Sequence, residues 1–265
     1  MEWAAKSDVG LVRKSNEDSY IVRIQPNKQS VAIVADGMGG YQGGKVASDL
    51  TVTSIIESID QFFPEDRDAS CSEIDMTFVI KRAIKYANDK VYSLSQDHLE
   101  LAGMGTTVVT AIVSQEEVVV GHAGDSRAYI ISDDQIMQIT TDHSLVNELV
   151  HQGKISEEEA LIHPQRHMIT RALGTSPNIE VDIGKYEWGA NDILLLCTDG
   201  LSEVVSQEQL LHALHNEPSL DQAVTCLLNK SLEVGGKDNI TIVAIKNSAS
   251  ANVHQEGGDW HGVEQ

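Results

Sequence analysis

Two periods of apolar residues divide this chain into strands and helices. After a short first segment, Ala4 to Asp8, come two runs that read as strands, Ser19 to Ile24 and Ser30 to Ala35. The turn signal Pro26-Asn-Lys separates the last two and makes them an antiparallel hairpin. From Gly43 the period becomes helical, with Val46, Ala47, Leu50, Ile55, Ile56, Ile59 and Phe62 on one face and an expected end near Phe63-Pro64. Pro64 to Ser72 is acidic and aperiodic, and reads as a surface loop. Beyond it Ile80, Ala83, Ile84, Ala87, Val91 and Leu94 trace the i, i+3, i+4, i+7 stripe of a second helix. Both stripes are ordinary core faces.

Four strands are then expected, at Thr106 to Val113, Glu117 to Ala123, Arg127 to Ser132 and Gln135 to Thr140, joined by short polar turns into a meander. Between 144 and 171 the pattern is polar with short helices, including the capping box Ser156-Glu-Glu-Glu159, which suits a mobile flap. Ile179 to Tyr186 and Asp192 to Thr198 read as another strand pair. Leu220, Ala223, Val224, Leu227, Leu228 and Leu232 form a third helical stripe that Gly235-Gly236 would end, and the last strand runs from Asn239 to Lys246. Residues 247–265 lose periodicity and are expected to be a disordered tail.

Hairpins interrupted by three long amphipathic helices fit an α+β fold. Two antiparallel sheets packed face to face and flanked by helices, a four-layer αββα sandwich, would bury all three stripes within one domain, residues 1–246. Such a sandwich also lets strand ends distant in sequence meet at one edge.

That matters because acids sit at strand ends. Val34-Ala-Asp-Gly-Met-Gly-Gly40 is an apolar strand expected to stop at Asp36, followed by glycines that allow close approach of backbone or ligand. Asp-Gly alone is good turn chemistry. The pattern recurs, however, at Leu194-Leu-Leu-Cys-Thr-Asp-Gly200, and Asp238 stands where the strand to Ile245 begins. Three acids at three strand ends can converge.

Charge narrows the chemistry. Lysine and arginine number 19 against 40 acidic residues, giving a formal charge of −21. This argues against nucleic-acid binding by counterion release and favours divalent cations. A site handling phosphate would need metal ions or a local arginine to invert the potential. No apolar run reaches the ~20 residues that span a bilayer, and the first residues lack a signal-peptide core, so a cytoplasmic protein without membrane insertion is expected. Cys71, Cys197 and Cys226 have no metal-ligand spacing and fit reduced thiols.

Eight motifs in order then resemble one family, the metal-dependent protein serine/threonine phosphatases of the PPM type, or protein phosphatase 2C. They are Arg13-Lys-Ser-Asn-Glu-Asp18, Ala35-Asp-Gly-Met-Gly-Gly40, Gly105-Thr-Thr107, Gly124-Asp-Ser-Arg127, Thr141-Asp-His-Ser144, Arg171-Ala-Leu-Gly174, Thr198-Asp-Gly-Leu201 and Asp238-Asn-Ile-Thr241. The compact length is similar to that of bacterial stand-alone members. The resemblance implies a centre of two Mn²⁺ or Mg²⁺ ions: Asp36 bridges both, Gly37 offers its backbone carbonyl to one, and Asp199 and Asp238 bind the other. Asp125, with Asp199, is implied for a third, weaker ion, and Glu17 and Asp18 for orienting metal-bound waters. A hydroxide held between the ions would attack the phosphorus of phosphoserine or phosphothreonine directly, without a phosphoenzyme. Arg13 is the candidate for substrate binding, since a guanidinium fork matches two phosphoryl oxygens. Phosphoproteins are the implied substrates, a serine/threonine kinase and its targets the implied partners, and a monomer the expected state.

Two positions depart from the family. Many members carry a histidine after Asp-Gly or Gly-Gly, where this chain has Met38 and Tyr41, which leaves the general acid open among a metal-bound water, Tyr41, His143 and His167. Lys45 replaces a glutamate common in bacterial members, and a surface salt-bridge difference with little effect on catalysis is expected. A non-catalytic binding or metal-sensing module on the same fold is the alternative, but degenerate members usually lose an acid and none is lost here. A metal-dependent nuclease is disfavoured by the negative charge.

Overall fold

The central strands are buried on both faces, which is why they read as unbroken apolar runs rather than as alternating ones. The structure is a computed structural model and describes residues 1–24, 30–39, 42–63 and 74–248. In chain order the strands are β1 (Glu2–Asp8), β2 (Asp18–Arg23), β3 (Ser30–Met38), β4 (Gly105–Thr106), β5 (Val108–Val113), β6 (Glu117–Ala123), β7 (Arg127–Ser132), β8 (Gln135–Gln138), β9 (Asp182–Glu187), β10 (Ile193–Cys197) and β11 (Ile240–Lys246). The helices are α1 (Gly43–Asp60), α2 (Met76–Asp97), α3 (Leu145–His151), α4 (Glu157–Leu161), α5 (Asp199–Ser202), α6 (Gln207–Asn216) and α7 (Leu220–Glu233).

One sheet has the strand order β1-β11-β10-β7-β8 and the other β2-β3-β5-β6-β9, with β4 paired to the far end of β3. Successive side chains leave a strand on opposite faces, so each central strand feeds two layers. On β3, Ala32 and Val34 enter the layer between the sheets while Ile33 packs under α1 and α2 with Ile55, Ile59, Ile80 and Ile84. On β10, Leu194 and Leu196 face the other sheet while Leu195 meets Leu210 and Leu227 of α6 and α7. Each such fully buried Val, Leu or Ile side chain contributes about 1.5–3 kcal/mol. The result is the expected four-layer αββα sandwich.

Several local expectations change. The four strands read as a meander split between the sheets: β5 and β6 pair in one, β7 and β8 in the other. The chain changes sheets at 124–126, where Gly124 adopts a positive φ of 116°. β9 and β10 are likewise no pair, since β9 lies on β6 and β10 between β7 and β11. The strand expected from Thr106 breaks at Thr107. Helix α6 escaped the periodicity because it buries only Leu210, Ala213 and Leu214, although Ser206 and Gln209 form a full capping box before it. The capping box at Ser156 and Glu159 is present. The buried face of α1 includes Ser48, Thr51, Ser54 and Ser58, small polar residues that an apolar stripe leaves out. The turn at Pro26, the loop from Pro64 to Ser72, Tyr41 and the tail from 249 onward lie outside the described residues.

Candidate active site

Strand β3 does not stop at Asp36. It runs on to Met38, because Gly37 and Met38 pair with Thr106 and Gly105 of β4. Asp36 therefore sits in a paired strand, directly opposite Asp18 of β2. Its backbone is held on both sides: the N–H donates to Thr107 Oγ1 at 3.0 Å, and the carbonyl accepts from the Thr107 N–H at 2.9 Å and the Thr106 hydroxyl at 2.8 Å. The Thr107 hydroxyl also meets that of Ser126 at 2.7 Å, one residue from Asp125. Gly37 has no room for a side chain, since a Cβ there would collide with the carbonyls of Gly44 and Glu17.

Asp199 opens α5 directly after β10, and Asp238 lies just before β11. Because β10 and β11 pair in the register Cys197 to Ile242, the two acids emerge side by side. Thr198 ties this edge to the other sheet: its hydroxyl donates to Asp18 Oδ2 and accepts from the Thr241 N–H, each at 3.0 Å. The structure thus brings Asp18, Asp36, Asp125, Asp199 and Asp238 to one edge of the sandwich.

The cluster is electrostatically unfavourable as it stands. Loss of hydration, then the carboxylates of Asp18, Asp199, Asp125 and Asp238, push the Asp36 carboxyl well above the usual range. Burial first, against hydrogen bonds from Thr241 and Thr198, pushes Asp18 up to about 7. Burial and Asp199 push Asp125 up to about 7, and burial and Asp238 push Asp199 up to about 6. Two oxygens, Oδ1 of Asp18 and Oδ1 of Asp199, are buried without a hydrogen-bond partner. Such orphaned acceptors cost free energy unless something positive reaches them. An all-oxygen, strongly anionic donor set fits hard divalent cations.

Arg13 reaches the edge on the loop between β1 and β2. Asn239 anchors that loop, accepting from the Glu17 N–H at 2.8 Å and donating to the carbonyls of Val9 and Ser15 at 2.9 and 3.0 Å. The exposed Arg13 guanidinium donates to Asp238 Oδ2 at 2.7 Å. Glu17 is half-buried, and burial raises its carboxyl pKa while Arg13 opposes the rise. Lys45 makes the expected surface pair with Asp49 at 3.0 Å, but it does more: its ammonium also donates to the Asp18 carbonyl at 3.0 Å and the Ser19 hydroxyl at 3.1 Å. It braces the strand that carries Asp18, which the salt-bridge reading missed.

The histidines separate. His143 is 6% exposed, and its Nδ1 accepts the Gly124 N–H at 3.1 Å while its Nε2 lies 3.2 Å from Asp182 Oδ2. Both ring nitrogens are thus engaged by neighbouring groups of the protein. His167 lies in the 144–171 segment, exposed, with Nδ1 2.9 Å from Glu203 Oε1. The supporting residues Thr106, Thr107, Ser126, Thr198 and Asn239 were not singled out from sequence, although each is within two residues of a candidate acid or inside one of its motifs. Their signal was that adjacency.

A sequence model of the family Protein phosphatase 2C matches residues 12–240. The chain is 35% identical over 254 residues to the serine/threonine phosphatase stp of Listeria innocua, over 96% of this chain and 97% of that protein. Its fold is similar to that of the Mycobacterium tuberculosis serine/threonine phosphatase PstP/Ppp, with a TM-score of 0.80 and 36% identity over 92% of this chain and 97% of the other. It is also similar to the catalytic domain of PstP in complex with two manganese ions, with a TM-score of 0.77 and 34% identity over 92% of this chain and 96% of that one. The chain belongs to the protein phosphatase 2C family.

Proposed function

We propose that this chain is a Mn²⁺- or Mg²⁺-dependent phosphatase that hydrolyses phosphoserine and phosphothreonine in proteins, in the cytoplasm and as a monomer, against a serine/threonine kinase. The observation that carries this reading is the convergence of five aspartates whose charges repel and whose buried oxygens are partly orphaned, with an arginine at the rim. The complete acid set also speaks against a non-catalytic module.

In this reading Asp36, the Gly37 carbonyl, Asp199 and Asp238 hold two ions, and Asp125 with Asp199 a third. When bound, such ions supply an activated water nucleophile and stabilise charge on phosphoryl oxygens. The chain's own residues do the rest. Thr106 and Thr107 fix Asp36, Glu17 and Asp18 orient water, and Arg13 presents its guanidinium fork to the phosphoryl group. The segment 144–171 acts as a flap that tunes access of a phosphoprotein. Among the described residues no helix is long and apolar enough to cross a membrane.

The direct test is initial-rate hydrolysis of p-nitrophenyl phosphate and of a phosphothreonine peptide in EDTA, Mg²⁺ or Mn²⁺. Turnover of both with metal and none in EDTA is expected, whereas tight metal binding without turnover would favour the binding module. A second expectation concerns Arg13→Ala. A charge-assisted hydrogen bond to phosphate is worth about 1.5–3 kcal/mol. Steady-state kinetics on the phosphopeptide should therefore show kcat/KM lower by roughly 10- to 100-fold, mostly through KM. An unchanged KM would remove Arg13 from substrate binding.

A further inference from the structure

We infer that His143 is a positioning residue: it fastens the turn carrying Asp125 to the root of the 144–171 segment, so that this candidate ligand and the flap are held as one unit. The inference rests on the reading of the site as a metal-dependent phosphatase centre and adds a residue to it.

His143 satisfies both main-chain polar groups of Gly124. Its own N–H donates to the Gly124 carbonyl at 3.0 Å, and its Nδ1 accepts the Gly124 N–H at 3.1 Å. This is the turn where the chain passes from one sheet to the other, and a Cβ on Gly124 would collide with Thr107, whose hydroxyl holds the Asp36 N–H. In the other direction the His143 carbonyl accepts the Thr170 N–H at 2.8 Å, Ser144 bridges to Ile169, and the Leu145 N–H reaches the Met168 carbonyl at 2.9 Å. Both roots of the flap therefore meet at this residue.

The ring is itself held in place. With Nδ1 accepting, a neutral imidazole carries its proton on Nε2, which faces Asp182 Oδ2 at 3.2 Å. Arg171 fixes that carboxylate through Oδ1 at 2.7 Å and lies 3.2 Å from the same ring nitrogen. His122 stacks on the ring with centroids 4.8 Å apart and planes at 6°, its Nε2 being 3.0 Å from the Thr141 carbonyl. One imidazole thus joins four separate segments. His122, His143 and Asp182 bring potential ligand atoms within 4.8 Å of one another, but a metal is a poor occupant there. Nδ1 of His143 is already taken by Gly124, and Asp182 already has a guanidinium.

Asparagine places an acceptor near the position of Nδ1, whereas glutamine places a donor near that of Nε2, so the pair separates the two ends of the ring. His143→Asn should keep the Gly124 contact and a Mn²⁺ concentration for half-maximal p-nitrophenyl phosphate turnover within about 3-fold of the parent. His143→Gln should lose that contact and raise the requirement by roughly 10-fold or more, with kcat at saturating Mn²⁺ little changed, the size expected when support for a metal ligand is removed. Hydrogen exchange in EDTA should show lost protection at 124–126 and 169–171 in His143→Gln alone, and calorimetric Mn²⁺ titration should show its weakest binding step weakened further. Equal impairment of both variants, or an unchanged Mn²⁺ requirement in His143→Gln, would overturn the inference. If the parent protein itself showed no turnover, the phosphatase reading would fail, while exchange and calorimetry would still decide the fastening.

Discussion

Replacing Asp36 with asparagine is expected to cut turnover by roughly 10³-fold or more while making the metal-free protein more stable. The substitution keeps the shape of the side chain, and the backbone clamp by Thr106 and Thr107 does not involve the carboxylate, so the strand should be undisturbed. What is lost is a negative charge. That charge lies among those of Asp18, Asp199, Asp125 and Asp238, which together with burial hold its carboxyl far above the usual range. Removing it relieves repulsion in the absence of metal and takes away a carboxylate that would hold the proposed ions. Rates on p-nitrophenyl phosphate in saturating Mn²⁺, paired with thermal melts in EDTA at pH 7.5, check both halves. Melting should rise by about 2–5 °C. Full activity in Asp36→Asn would sink the assignment of the metal centre, and Asp238→Asn should fail alongside it.

In EDTA the melting temperature should fall as pH rises from 6.5 to 8, by about 5 °C, and Mn²⁺ should reverse the fall. Asp18 and Asp125 are pushed up to about 7 and Asp199 to about 6, from an ordinary value near 3.8. A carboxyl with a raised folded-state pKa binds its proton more tightly folded than unfolded. Its stabilising contribution is therefore complete below the unfolded pKa and is lost as pH climbs through the folded one. His122 and His143 act in the opposite sense. Burial holds both below the usual imidazole range, so they favour the fold as pH rises toward 6.5, and the decline shows best above that point. Metal binding displaces the same protons, so the gain from Mn²⁺ should be larger at pH 8 than at pH 6. A melting temperature that is flat or rising across this window would mean that the acids are not packed together as described.

The order of elements was legible because strands and helices differ in apolar period, and the long stripes of α2 and α7 identify themselves. Sheet membership was not. β5 to β8 follow one another with short turns, yet they divide between two sheets at Gly124, and adjacency in sequence carries no record of that passage. Helix α6 was missed because three buried residues make too short a stripe to stand out. Within the site, Asp36, Asp199, Asp238 and Arg13 could be singled out because acids at strand ends and an arginine beside acids are local patterns, while Asp125 came from the family resemblance. For Lys45 the surface pair was legible but its second contact was not, since the carbonyl it grips belongs to a strand more than twenty residues away.

By itself the sequence determined which chemistry is available: oxygen donors in excess, few cations, and glycines where backbones must approach. Covalent order and residue type suffice for that. Only the tertiary structure decided how the donors are held. Asp36 lies inside a paired strand because β4 returns to extend it, Arg13 stands against Asp238 because Asn239 anchors its loop, and the His143 ring accepts from the backbone of Gly124. Each of these depends on hydrogen bonds between segments far apart in the chain, formed where two sheets close over a common core, and no local propensity encodes them.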